Sequence, residues 1–352
     1  MSEIALRSLM IALTALVTLQ GKSLLAAPVV VGTCLPGVHF TTIQAAVEAS
    51  VPGGTVSVCP GTYLEQIIIN APLLLKGVKN GRSQAVIIGV GPGLTGTFPA
   101  QILIQSATGV SISDLIVDGT GAVCTGSIYG IVLDGAGATI SNSVVRNVKG
   151  TQACPGRAVG AFNSSSITFK NNLIHDSFEG ISTSYSTGSI TGNTILTQRT
   201  GINAGITAGP LAITNNVMNV GLNCAPPDCQ GTGINIYQAS STVSSNTIVL
   251  AVSAMGHGID IVESHNATVK SNKVDGAWQA ISLTNSISST VTGNTLNNTG
   301  YVALTPNDGS PGANVIINNV VNEAPCGMNM AAAKGDTLTP NTYHNTTLTT
   351  CN

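Results

Sequence analysis

From about residue 100 onward, apolar and polar residues alternate in runs of three to five, separated by short turns rich in Asn, Gly, Ser and Thr. One phrase recurs: an apolar residue, two polar or small residues, Asn, one more residue, then an aliphatic. It reads Phe169-Lys-Asn-Asn172-Leu-Ile174, Ile190-Thr-Gly-Asn193-Thr-Ile195, Ile213-Thr-Asn-Asn216-Val-Met218 and Val243-Ser-Ser-Asn246-Thr-Ile248, then Val269-Lys-Ser-Asn272-Lys-Val274, Val291-Thr-Gly-Asn294-Thr-Leu296 and Val315-Ile-Ile-Asn318-Asn-Val320. A second phrase, Gly-Ile, falls between them at Gly130, Gly180, Gly201, Gly233 and Gly258, with weaker copies at Ala158-Val159, Ala280-Ile281 and Tyr301-Val302. Such short alternating runs predict strands with one face buried. Two or three strands per period of about 22 residues, with no helix between them, predict the coils of an all-β parallel solenoid. Asn suits the turn because it tolerates the left-handed backbone, and stacked copies can hydrogen-bond from coil to coil.

The start of the chain differs. Phe40 to Ser50 carries helix formers with Ile43, Ala46, Val47 and Ser50 on one face, ahead of Pro52-Gly53-Gly54 and the strand-like runs Thr55–Cys59 and Gln66–Asn70. An amphipathic helix here would cover the open end of the solenoid. Residues 1–27 read as a secretory signal, with Arg7 before the apolar run Leu9–Leu19 and Ala26-Ala27 at the end. The expected organisation is therefore a signal peptide (1–27), an N-terminal segment with a capping helix (28–55), a β-helix (56–322) and a C-terminal cap (323–352).

Composition narrows the function classes. Of 352 residues, 8% are charged, 3% aromatic and 43% hydrophobic, with 40 glycines and a formal net charge of −2. Disorder, coiled coil and nucleic-acid binding all require other balances. No second apolar run approaches the ~18 residues of a spanning helix, so no membrane span is expected after signal removal. Eight cysteines follow the signal: Cys34, Cys59, Cys124, Cys154, Cys224, Cys229, Cys326 and Cys351. Their even number in an exported chain, without a CxxC pair, points to disulfides rather than zinc, and the repeat register suggests sequential pairing.

The opening segment, Phe40-Thr-Thr-Ile-Gln-Ala-Ala-Val-Glu-Ala-Ser50 followed by Pro52-Gly-Gly-Thr-Val-Ser-Val58, Pro60-Gly-Thr-Tyr-Leu-Glu65 and Pro72-Leu-Leu-Leu-Lys-Gly77, resembles the start of pectin lyase-like proteins. With the Asn coils, the resemblance covers residues 38–322. It implies a single-stranded right-handed parallel β-helix, here of about ten coils, in a secreted or periplasmic protein. Members of that superfamily often act on acidic polysaccharides by lysis, hydrolysis, ester cleavage or epimerisation, and many have no known activity. The catalytic Gln and paired-Asp motifs of the pectin esterases are not present, so no role transfers from them.

Aligned on the Asn phrase, the residues just beyond it form an outward column: Asp118, Arg146, His175, Leu196, Asn219, Val249, Asp275, Asn297 and Val321. Rungs lie about 4.8 Å apart, which makes Asp118, Arg146 and His175 neighbours with Asp176 beside them. Between Gly135 and His175 there is no Asp or Glu, while Arg146, Lys149, Arg157 and Lys170 accumulate. This patch suits an anionic polymer. The long connections 119–129, 147–158 and 219–232 could wall a groove, and a Cys124–Cys154 bond would stiffen that wall. Removing the proton beside a uronate carboxylate needs a cation or metal on the carboxylate and a base of suitable pKa. Arg146 fits the first role and His175 the second, with Asp118 or Asp176 orienting the imidazole and Lys149, Arg157 and Lys170 holding substrate.

A second constellation is His257, Asp260, Glu263 and His265, suited to a metal or to acid–base work. Hydrolysis would need two facing carboxylates, for which Asp114, Asp118 and Asp134 are the only early cluster. Trp278 is the only Trp, and Phe40, Phe98, Phe162, Phe169 and Phe178 are scattered, which counts against tight neutral-glycan binding. The reading is a secreted or periplasmic monomer that β-eliminates or epimerises uronates of an extracellular or cell-wall polysaccharide, with calcium the one cofactor kept as a candidate. Its alternative is a non-catalytic scaffold, adhesin or glycan-binding β-helix.

Overall fold

The computed structural model describes residues 28–351 apart from 82, 89–97, 124–125, 164, 208, 223–230, 251–255, 307–311, 332 and 334. The expected signal peptide and Cys124, Cys224 and Cys229 lie outside the described residues.

Short alternating runs become parallel strands, and each coil visits three faces. Face 1 is a 13-stranded sheet that includes Gly54–Val58, Ser166–Lys170 and Val315–Ile317. A two-residue turn leads to face 2, with strands such as Ile116–Asp118, Val144–Arg146 and Thr247–Leu250. A longer corner leads to face 3, with Ile128–Asp134, Gly156–Phe162 and His257–Val262. Faces 2 and 3 join in one 22-stranded array, because Leu173–Ser184 and Thr194–Gly205 bend across both without a break. The parallel β-solenoid has about 12 turns, more than the ten expected. Strands at both ends extend it: Val29–Val31 and Val38–Phe40 on face 1, and Thr342–His344 and Leu348–Cys351 after the last Asn phrase.

Each face points alternate residues inward. On face 1, Ile140, Phe169, Ile190, Ile213, Val243, Val269, Val291 and Ile316 stand in register from rung to rung, and all are buried. Full burial of each such side chain is worth about 1.5–3 kcal/mol. This column is one of several that each coil buries, and their sum, not any one residue, offsets the ordering of a coil with few charged groups.

The Asn phrase works differently from its expected mechanism in one respect. The left-handed residue is the one before the Asn: Asn171, Gly192, Asn215, Ser245, Ser271, Gly293 and Asn318 have φ of 54–66°. The Asn itself turns inward and serves only as a ladder. Oδ1 of Asn216 accepts from the backbone N–H and side-chain amide of Asn193 at 3.0 and 2.9 Å, while its own amide donates to Asn246 Oδ1 at 3.0 Å and to the Ile190 carbonyl at 2.9 Å. The same pattern links Asn172, Asn193, Asn216, Asn246, Asn272, Asn294, Asn319 and Asn341. The final phrase is therefore shifted by one residue from the sequence alignment. Asn319, not Asn318, is on the ladder, and Asn322, not Val321, follows Asn297 in the outward column, with His344 beyond it. Two adjacent Asn residues made the register ambiguous, and the buried side chain decides it.

The Gly-Ile phrase also has a steric cause. A Cβ on Gly201 would lie 2.6 Å from the Gly233 carbonyl oxygen, and one on Gly233 would lie 2.5 Å from that of Gly258. Rungs of face 3 start too close together there for a side chain. At the N-terminal end, the helix Ile43–Ala49 buries Ile43 and Ala46 and is capped by Thr42. Glu65 accepts from the backbone N–H groups of Ile43 and Gln44 at 2.8 and 2.9 Å, which satisfies two of the first-turn donors. Disulfides Cys34–Cys59 and Cys326–Cys351 bind the two ends, in the sequential order expected. Cys154 is also disulfide-bonded.

Candidate functional site

Face 2 brings Asp118, Arg146 and His175 onto three successive rungs, with Leu196 on the next. Asp118 is not outward in the way expected, for it is buried. Its Oδ2 accepts from Arg146 Nε at 2.7 Å, and its Oδ1 accepts from the Thr120 hydroxyl at 2.6 Å, the Thr120 N–H at 3.0 Å and the Asn147 amide at 3.0 Å. Burial alone would raise its pKa. The hydrogen bonds from Thr120, Asn147 and Arg146 outweigh burial and hold the carboxyl at about 2. Asp118 thus fixes Arg146 rather than orienting His175. The guanidinium gives its Nε to Asp118 and keeps its Nη groups in a side chain 34% exposed.

The imidazole is oriented by Asp176, whose Oδ2 lies 2.6 Å from His175 Nδ1. The rungs shift register between His175 and Glu179, so the strand carries a bulge there. Asp176 has a φ of 55°, which folds its carboxylate back onto the preceding ring. Asn147, Asn298 and Glu323 share that positive φ, whereas Gly119, Thr197, Val220 and Leu250 at the same position do not, so the left-handed residue recurs at this corner on some coils only. What is particular to this coil is the pairing of a carboxylate there with a histidine before it. Nδ1 donates to the carboxylate, which leaves Nε2 as the acceptor. The dyad lines a cleft of about 470 Å³ together with Lys149, Leu173, Ser177, Leu196, Thr197, Gln198 and Leu222.

The remaining basic residues separate. Arg157 opens a face 3 strand, where its Nε donates to Glu179 at 2.7 Å and an Nη donates to the Tyr129 hydroxyl at 3.1 Å. Arg199 lies 3.6 Å from the other oxygen of Glu179. Arg157 is therefore committed to an internal network rather than free for substrate. No acidic residue precedes His175 in that stretch, but the next rung supplies one. Burial would lower the Arg157 pKa, and the charge of Glu179 more than reverses this. Lys170 ends a face 1 strand and does not line the cleft.

The second constellation divides in two. His257 and Asp260 meet on face 3 through Ser282, which stands opposite Asp260 on the next rung. Ser282 Oγ donates to Asp260 Oδ1 and lies 2.9 Å from His257 Nδ1. Glu263 and His265 lie beyond the next corner, in a depression of about 870 Å³ with Gln238, Asn266 and Asn285. The early acidic cluster also comes apart. Asp114 pairs with Lys79 at 2.7 Å, and Asp134 accepts from Asn163 at 2.6 Å, each at a different corner from Asp118. Two Phe residues that are distant in sequence do converge: the Phe98 and Phe162 rings stack at 4.8 Å, with Tyr129 edge-on to both. Register across three coils, invisible to local spacing, creates that cluster.

In-register three-faced coils with an inward Asn ladder define a parallel β-helix protein of the pectin lyase-like type. Within that class, a family model described as "Periplasmic copper-binding protein (NosD)" matches residues 94–308 and 211–350, and the chain belongs to this family. No curated protein sequence matches it. Among solved structures, it is similar to the A-module of the mannuronan C-5 epimerase AlgE4 of Azotobacter vinelandii, with a TM-score of 0.53 at 17% identity over 88% of this chain and 92% of that one. It is also similar to a Family 28 exopolygalacturonase of Yersinia enterocolitica, with a TM-score of 0.56 at 13% identity over 92% and 76% of the two chains. An alginate lyase of Paenibacillus sp. gives a TM-score of 0.50 at 14% identity over 87% and 95%. At these identities the likeness is one of fold.

The family description names copper, which requires a convergence of imidazole, thiolate or thioether donors. The described residues do not fit it. Among them no three of His, Cys, Asp and Glu converge, the disulfides occupy Cys34, Cys59, Cys154, Cys326 and Cys351, and of the methionines Met218 and Met328 are buried in the core while Met330 is exposed. No helix among them is long and apolar enough to cross a membrane.

Proposed function

We propose that this protein is an exported β-helix enzyme that binds a uronate-containing polysaccharide in the cleft around His175 and removes the proton at C5 of a uronate. The observation that carries this reading is the His175–Asp176 dyad, with Arg146 on the neighbouring rung and Lys149 in the same cleft. Asp176 holds the proton on Nδ1, so Nε2 presents a lone pair to the substrate. Arg146 and Lys149 supply positive charge for the carboxylate, whose electron demand grows as the C5 proton leaves. Loss of the substituent at C4 from that carbanion gives an unsaturated product, while reprotonation from the opposite face gives the epimer. Disulfides at both ends support export to an oxidising compartment.

The test is incubation of the purified protein in deuterated water with polymannuronate, alginate or polygalacturonate, with and without calcium. Proton NMR then reads deuterium at C5 and the vinyl proton of an unsaturated end. Either signal, lost on His175→Ala, is the expected result. Absence of both from every polyuronate, or full activity in His175→Ala, overturns the assignment.

The non-catalytic alternative rests on a different observation, the commitment of Arg157 to Glu179 and of the Arg146 Nε to Asp118. Under it, polyuronates would bind without deuterium incorporation.

A further inference from the structure

We propose a second carbohydrate site on face 3, around His257, that takes a neutral, hydroxyl-rich oligosaccharide rather than a uronate. It does not rest on the reading of the His175 cleft. A carboxylate can only accept, so the Ser282 hydroxyl gives its proton to Asp260 and turns a lone pair to His257 Nδ1 at 2.9 Å. Nδ1 must then carry the imidazole proton, and Nε2 becomes an acceptor aimed away from the relay. Ser282 is buried, whereas the His257 side chain is 30% exposed. The buried part orients and the exposed part is free to meet a ligand.

Three features around the relay match a sugar. Trp278 and Tyr301 lie parallel, ring centroids 5.2 Å apart at 17°, and the Trp278 backbone N–H donates to the Gly256 carbonyl at 2.9 Å, which puts the Trp278 backbone on the rung next to Gly256, the residue before His257. Flat aromatic faces with a wet edge suit the C–H faces of a pyranose. In the other direction, Asn203, Asn235, Asp260 and Ser282 occupy one column of successive rungs, about 4.8 Å apart. The Asn235 amide donates to Asn203 Oδ1 at 2.9 Å, a bond that uses one N–H of Asn235 and leaves its second N–H, its Oδ1 and the Asn203 NH2 as groups able to meet hydroxyls.

Charge selects the class. The strands Thr232–Tyr237, His257–Val262, Gln279–Thr284 and Val302–Thr305 contain no Lys or Arg, and Arg199, on the Asn203 strand, is paired with Glu179, while Asp260 stands at the centre. A uronate placed there would meet a carboxylate with no cation on those strands to offset it.

Because Trp278 is the only Trp in the chain, its fluorescence reports this site alone. The probes are cellohexaose, mannohexaose and xylohexaose, with hexagalacturonate as the charged control. A saturable change in Trp emission with at least one neutral hexaose and none with hexagalacturonate is expected. His257→Ala and Asn235→Ala should each weaken binding about tenfold, and His175→Ala should leave it unchanged. If His257→Ala fails to fold, Tyr301→Ala, at an exposed position, replaces it with calorimetry as the readout. No response to any neutral hexaose, or an equal response to hexagalacturonate, overturns the proposal.

Discussion

Asp118 and Arg146 stand on neighbouring rungs of face 2 with Oδ2 and Nε 2.7 Å apart, and the carboxylate is the deeper partner, 6% exposed against 34%. The anion therefore belongs to the framework and the cation to the surface.

The first prediction concerns acid stability. The folded pKa of Asp118, about 2, lies below its ordinary value of 3.8. A depressed carboxyl stabilises fully above the unfolded pKa, and its contribution fades as pH falls from about 4 through about 2. Asp118→Asn should remove this part of the acid-side slope and lower stability at neutral pH by about 2 kcal/mol. Urea unfolding of both proteins across that range measures it, and an unchanged slope would assign the effect to another group.

Adjacent asparagines provide a sharper contrast. Asn319→Ala should cost about 3 kcal/mol, since it strands the Asn294 N–H and amide that it accepts. Asn318, exposed with a φ of 58°, should tolerate Gly at near-zero cost. Thermal unfolding of the two variants distinguishes them, and equal losses would refute the one-residue shift.

Close approach predicts a third result. Gly233→Ala would put a methyl against the Gly258 carbonyl and the Ile248 side chain, and should destabilise by about 1–3 kcal/mol. The same change at Gly53, where a Cβ meets nothing but φ is 77°, separates contact from backbone strain. If Gly233→Ala is silent, the Gly-Ile phrase is not steric in origin.

Glu179 lies between two guanidiniums, which makes it the sensitive member of its network. Glu179→Gln should cost about 3 kcal/mol by leaving Arg157 underpaired. Glu179→Leu combined with Arg157→Met should recover much of that loss. Chemical denaturation of the single and double variants gives the coupling energy, and strict additivity would mean the pair does not interact.

The solenoid was legible because its cause is local and repeated: alternation within each run, and a polar residue with one demanding geometry at each turn. The outward column Asp118, Arg146, His175 followed from the same phase. What escaped the sequence depends on neighbours one rung away. Ser282 gains a role only because the next rung brings it against both His257 and Asp260. Arg157 looked free because Glu179 lies 22 positions later, and Phe98 and Phe162 looked scattered for the same reason. Asp118 looked exposed because alternation says which way a side chain leaves the sheet but not whether Thr120 and Asn147 close over it.

The ladder keeps step while the coils differ in length. From Asn172 to Asn193 the chain spends 21 residues and from Asn216 to Asn246 it spends 30, yet both pairs make the same bonds. The asparagine turn therefore acts as a metronome, resetting the phase once per coil whatever the corners insert. A corner can be lengthened, exchanged or given new side chains without moving the rungs above and below it, so the walls of the His175 cleft can diverge while the scaffold that aims the imidazole stays in time.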